Sequence, residues 1–161
     1  MYKKKKLPLR LGVGIILLNK QNKVFVGKRI DNQKSNSWQM PQGGVDKNEN
    51  FLQAAKRELE EETSVKTIKL IKELNETLTY YLPKKLLGKI WKGKYCGQKQ
   101  KWFVMEFLGD DKEINVQTKN PEFLEWKWIE LDKITDVVVD FKLNLYKKVK
   151  EKVKKLLIKQ L

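Results

Sequence analysis

GGVDKNENFLQAAKRELEEETSV, residues 43–65, has the periodicity of a helix with an unusual face. At about 100° per residue, Phe51, Ala54, Ala55, Glu58, Glu61 and Glu62 point within about 60° of one direction, opposite Gln53, Lys56 and Glu60. The inward stripe therefore begins apolar and ends in three carboxylates. Burying an unpaired charge is costly, and like charges at i, i+3 and i+4 repel. One reading is an exposed acidic helix end. The other is a divalent cation with oxygen ligands, which relieves both costs at once. Asn50 followed by Gln53 predicts the helix start, an Asn variant of the capping box.

The spacing decides between these readings. Gly43 is followed by five residues, Glu49, seven residues, and then Arg57-Glu58-Leu59-x-Glu61-Glu62, with Val65 beyond. This pattern resembles the Nudix box, the signature of hydrolases that cleave a diphosphate linked to another moiety. Ser64 departs from it, standing where the family has Gly. That Gly usually closes the helix in a left-handed conformation, so Ser is expected to cost about 1 kcal/mol if the backbone is kept.

Outside the box, composition sets the bounds. The 161 residues suit one domain, 1–161, with residues 1–8 as a basic arm; 40% hydrophobic and 34% charged content fits a globular protein. A net charge of +15 favours polyanionic partners. Only Arg10, Arg29 and Arg57 are arginine, so a compositional drift toward Lys also accounts for part of that charge. With no His, histidine triads and histidine metal sites are excluded, and the lone Cys96 excludes a disulfide framework. Lys3 to Lys6 ahead of LGVGIILL imitate a signal peptide. Arg10 interrupts the run, however, and NKQNK follows it in place of a cleavage site. The run is too short to span a membrane, so it reads as a buried strand in a cytoplasmic protein.

Residues 11–18 and 24–30 are strand-like around the turn NKQN, and WQMPQGG (residues 38–44) marks a tight backbone approach. Residues 68–82 alternate loosely, residues 84–94 form a basic loop, and residues 101–108 and 124–131 are further strands. Residues 140–160 carry Leu143, Leu145, Tyr146, Val149, Val153, Leu156 and Leu157 at near-helical spacing, a closing amphipathic helix. This order predicts an α/β fold, a mixed sheet between helices. The Nudix resemblance implies the same α/β/α sandwich over nearly the whole chain, with a long C-terminal helix.

Three further segments, WQMPQGGVD, GQKQKWF and PEFLEWKW, are similar to a narrower group: bacterial RNA pyrophosphohydrolases and related asymmetric dinucleoside polyphosphate hydrolases. The resemblance implies that Glu58, Glu61, Glu62 and Glu122 hold two or more magnesium or manganese ions. It implies phosphate contacts at Arg29, Ser37, Tyr80 and Gln98, and a base cleft at Arg10, Val139, Phe141 and Lys142. Taken alone, Glu122 is an unremarkable loop residue, Arg29 a surface charge, Tyr80 a core aromatic and Phe141 the first apolar residue of the last helix. Arg57 is expected to orient carboxylates. The implied reaction trims RNA 5′-triphosphate to 5′-monophosphate with release of pyrophosphate, the step that initiates mRNA decay. Asymmetric cleavage of diadenosine tetraphosphate is the alternative, and a catalytically dead nucleotide-binding module the third reading.

Overall fold

The strand β1 (Leu9–Leu18) is apolar at nearly every position because it is buried on both faces. It lies parallel to β7 (Gly97–Phe107) over a register running from Leu9↔Gly97 to Leu18↔Glu106. This is a computed structural model, and it describes residues 6–32 and 36–159. Most of the expected basic arm, residues 1–5, and part of the polar loop, residues 33–35, lie outside the described residues.

Around that parallel pair the partners are antiparallel. β2 (Val24–Arg29) joins β1 and carries both β3 (Trp38–Gln39) and β8 (Phe123–Ile129). β4 (Gln42–Gly44) pairs the N-terminal half of β1. β5 (Ile68–Glu73) and β6 (Leu78–Tyr81) both pair β7. The sheet is therefore mixed, as expected.

Helix α1 (Phe51–Thr63) covers one face and α3 (Leu143–Lys159) the other; a short α2 (Ile134–Val137) precedes α3. Alternation along β1 divides its side chains. Val13, Ile15 and Leu17 pack with Ala54, Ala55 and Leu59, while Ile16 and Leu18 pack with Leu145, Tyr146, Val149 and Val153. The result is the α/β/α sandwich with its long C-terminal helix.

Besides shifts of one to four residues at strand ends, three features differ from the sequence reading. Residues 68–82 form two strands, with a register shift between Leu70 and Lys72 and a turn before Leu78. The basic loop contains a 3-10 turn, Trp91–Gly93. The last helix starts at Leu143 because Asp140–Lys142 is a separate 3-10 turn that sends Lys142 inward.

Candidate active site

Helix α1 is held at both ends. Asn50 Oδ1 accepts from Gln53 N at 2.8 Å and Gln53 Oε1 accepts from Asn50 N at 2.9 Å, the reciprocal capping box. Ser64 adopts the left-handed conformation (φ 67°) expected of a glycine there, and its hydroxyl donates to Asn115 O at 2.8 Å. The buried positions of the helix are Ala54, Ala55, Leu59, Glu62 and Thr63. This corrects the helical-wheel reading at one residue. Glu61 is turned to the flank with its side chain 57% exposed, drawn there by Arg57 Nη1 at 3.2 Å.

Arg57 organises the carboxylates. Its Nε and Nη2 grip Glu49 at 2.7 and 2.9 Å, Nη1 donates to Glu58 at 3.0 Å, and Nη2 also donates to Gly44 O at 2.8 Å. The glycine pair makes this compactness possible. A Cβ on Gly43 would stand 1.9 Å from the Glu58 carboxyl carbon, and one on Gly44 would stand 2.2 Å from Arg10 Nη2.

Burial has strong electrostatic consequences here. It pushes the Glu58 carboxyl up to about 7 against the opposing pull of Arg57. It raises Glu62 well above the usual carboxylate range, reinforced by the charges of Glu58 and Glu122, although Gln42 N donates to Glu62 at 3.3 Å. Glu122 is exposed just ahead of β8, and its carbonyl accepts from Ile30 N at 3.0 Å.

Glu58, Glu62 and Glu122 line one cavity of about 970 Å³ together with Arg10, Arg29, Ser37, Tyr80, Val139, Phe141 and Lys142. A second cavity, about 850 Å³, adds Glu61 and Arg57 to the same three carboxylates. The one expected site residue that lines neither is Gln98. It is fully buried, accepts from Gln100 Nε2 at 2.6 Å, and leaves its own Nε2 without a partner among the described residues. Gln100 Nε2 also donates to Gln42 at 3.0 Å and Gln100 accepts from Trp102 Nε1 at 3.1 Å, so a buried amide chain connects the core to the cavity wall.

On that wall, Arg29 and Lys142 converge on a single neutral acceptor. Arg29 Nη1 and Lys142 Nζ reach Gln39 Oε1 at 3.4 and 3.1 Å. Arg29 Nε also bonds Asp31 at 2.8 Å, whereas no carboxylate pairs with Lys142 among the described residues. Burial, then the neighbouring Arg29, pushes the Lys142 ammonium down to about 7. Tyr80 is 4% exposed in the core, and it also lines the cavity and supports Phe141 at a ring distance of 5.8 Å. Gln39, Gln42, Asp31 and Trp91 were not singled out from the sequence. Polar glutamines flanking Pro41 inside an apolar WQMPQ segment were the available signal for the first two.

The family model for the NUDIX domain matches residues 8–152. The chain belongs to the Nudix family. It is 70% identical to the RNA pyrophosphohydrolase of Pelagibacter ubique over 94% of this chain and 95% of that one. It is 46% identical to the protein of that name from Rickettsia prowazekii, covering 89% and 88%. Two solved Nudix-like folds superpose at low identity. The E. coli dihydroneopterin triphosphate pyrophosphohydrolase gives a TM-score of 0.66 at 19% identity over 89% of this chain and 97% of that chain. A C. elegans Ap4A hydrolase binary complex gives 0.61 at 18%, over 89% and 98%.

Nudix hydrolases use divalent metal ions, and the donors present fit one. They are carboxylate oxygens, the hard ligands such ions prefer, and there is no competing histidine. Gly43 leaves the space that the Glu58 carboxyl occupies. Among the described residues, no three carboxylates are already gathered as a cage, because Arg57 holds Glu58 and Glu61.

Proposed function

We propose that this protein hydrolyses the 5′-triphosphate of RNA, leaving a 5′-monophosphate and releasing pyrophosphate. One observation carries the reading: a single cavity joins a carboxylate wall (Glu58, Glu62, Glu122), two convergent cations (Arg29, Lys142) and an Arg10–Phe141 cleft. The 70% identical relative named RNA pyrophosphohydrolase supports the same substrate.

Glu58, Glu61, Glu62 and Glu122 would hold magnesium or manganese, two or more ions. Bound there, such ions neutralise phosphate charge and acidify a water enough to supply hydroxide. Arg29 and Lys142 offer their N–H groups to phosphate oxygens in exchange for the shared Gln39 oxygen, with Ser37 and Tyr80 on the same wall. The unspent Gln98 amide, fully buried beside Gln100, would be a further donor only to a group that enters the cavity wall. Because the chain has no histidine, the proton of the attacking water passes to a glutamate. Arg57 keeps the carboxylates aimed and makes no phosphate contact. Phe141 and the Arg10 guanidinium would present flat surfaces to an unstacked base, with Val139 an apolar contact on the same cavity. RNA as substrate sets the protein in the cytoplasm; among the described residues no helix is long and apolar enough to cross a membrane.

The test is product analysis with magnesium on triphosphorylated RNA, diadenosine tetraphosphate and free nucleoside triphosphates side by side. Pyrophosphate and 5′-monophosphorylated RNA should dominate. Faster cleavage of diadenosine tetraphosphate would replace RNA with the dinucleoside polyphosphate as the substrate.

A further inference from the structure

We propose that Trp91 is a positioning residue that determines how strongly the site depends on a base, by fixing Arg10 from behind. The inference rests on the nucleotide reading of the cavity and adds a residue to it. Trp91 lines that cavity half-buried, and the Arg10 guanidinium carbon lies 5.4 Å from the centre of its ring. On another side the guanidinium sits against Gly44, in space that any Cβ would fill. No carboxylate pairs with Arg10 among the described residues. An arginine without an ion pair is otherwise free to swing through many rotamers. The indole face and the bare Gly44 backbone hold its plane instead.

The opposite jaw is built alike. Phe141 lies against Tyr80 as Arg10 lies against Trp91, so each group that would meet a base has an aromatic ring in contact with it. The backbone under Trp91 points the same way. Trp91, Lys92 and Gly93 are three successive left-handed residues, with φ of 51°, 56° and 70°. A bulky aromatic rarely adopts that conformation, and such strain persists where surrounding contacts fix it, often at ligand sites. Here the contacts are Gly93 N to Ile90 O at 3.0 Å, Lys94 N to Trp91 O at 3.2 Å, and the edge of Tyr95 at 6.2 Å.

The test compares a 5′-triphosphorylated trinucleotide with its abasic counterpart. Trp91→Leu keeps apolar bulk but removes the π face; it should raise KM on the base-bearing substrate by about tenfold and leave kcat within about twofold. Trp91→Phe should restore most of the lost affinity. In an Arg10→Ala background, Trp91→Leu should add less than about twofold, because the ring acts through the guanidinium. Equal KM changes on both substrates, a collapse of kcat, or full additivity with Arg10→Ala would each reduce Trp91 to a loop anchor and overturn the proposal. If the wild type leaves both RNAs intact, the RNA reading fails separately. The same variants are then run on diadenosine tetraphosphate, where an unchanged KM for Trp91→Leu would overturn the proposal and a raised one would support it.

Discussion

Under α1, the sheet packs Val13, Ile15, Leu17, Phe103 and Met105 against Ala54, Ala55 and Leu59, and its buried polar groups are confined to the helix end at Glu62 and Thr63. Under α3, the same sheet buries Gln98 and Gln100 beside Trp102, and Gln39 meets Lys142 where α3 begins. The difference shows how one sheet divides its duties. An apolar face holds the helix rigid from which carboxylates project. The other face gives up apolar contact to store hydrogen-bond donors and acceptors next to a cavity. If that division holds, mutations on the two faces should separate stability from substrate handling.

The largest effect is expected where the two faces meet. Glu61→Gln and Glu62→Gln should each lower turnover by about a hundredfold or more. Their stabilities without metal should differ. Glu62→Gln removes a buried acid and should raise the melting temperature, whereas the exposed Glu61→Gln should leave it nearly unchanged. Near-wild-type turnover in both variants would remove the metal role from this helix.

Next, Met105→Ala on the apolar face should cost about 2–5 kcal/mol of stability and leave KM unchanged. Gln100→Leu on the other face strands Trp102 Nε1 and the Gln42 and Gln98 side-chain oxygens. It should cost about 1–3 kcal/mol and raise KM as well. Denaturant melts paired with steady-state kinetics check both. A raised KM in Met105→Ala would erase the distinction between the faces.

The two faces should also respond to pH in opposite senses. Glu58, raised by burial to about 7, stabilises the metal-free fold fully below 4.5, and that contribution is lost as pH rises through about 7. Lys142, lowered by burial and then by Arg29 to about 7, contributes fully above 10.5 and loses its contribution as pH falls through about 7. The Glu58 and Lys142 contributions are thus both lost near pH 7, and the raised Glu62 carries the loss further on the alkaline side. Added magnesium should relieve the branch due to Glu58. Glu58→Gln should flatten the stability profile between 4.5 and 7. A featureless wild-type profile would show that neither group is held as buried as described.

The smallest effect belongs to Ser64. Glycine would fit its φ of 67° better by up to about 1 kcal/mol, but the variant loses the bond to Asn115 O, worth about 0.5–1.5 kcal/mol. Ser64→Gly should come out near neutral and Ser64→Ala clearly less stable than it, by thermal melts. The reverse order would show that a Cβ carries no penalty at this left-handed position, since both variants lack the hydroxyl.

What was legible in the sequence follows from the range of the interactions. Asn50 with Gln53 gave the start of α1 because capping is local. The inward course of Glu58 and Glu62 followed from helical periodicity alone. Glu61 did not, because its direction depends on where Arg57 stands after gripping Glu49. The strand character of β1 and β7 was readable, but their parallel pairing joins residues far apart in the chain. Phe141 could be read as a base platform or a helix residue; it lies in the 3-10 turn that precedes α3, set apart from the helix where Lys142 turns inward toward Gln39, a contact across 103 positions. Gln39 and Gln42 were invisible as site residues because their partners lie in the turn before α3 and in β7.

That distant pairing also sets a timetable for synthesis. β1 leaves the ribosome well before its long parallel partner, which begins 88 positions later, counting from Leu9 to Gly97. At about 5–20 residues per second, the run LGVGIILL waits on the order of 4–18 s for its central neighbour. In the interval β2 and β4 are its available strand partners among the described residues. The nascent chain should therefore be most prone to aggregate before residue 107 is made, and a stall placed in the basic loop should lower soluble yield more than one placed after β7.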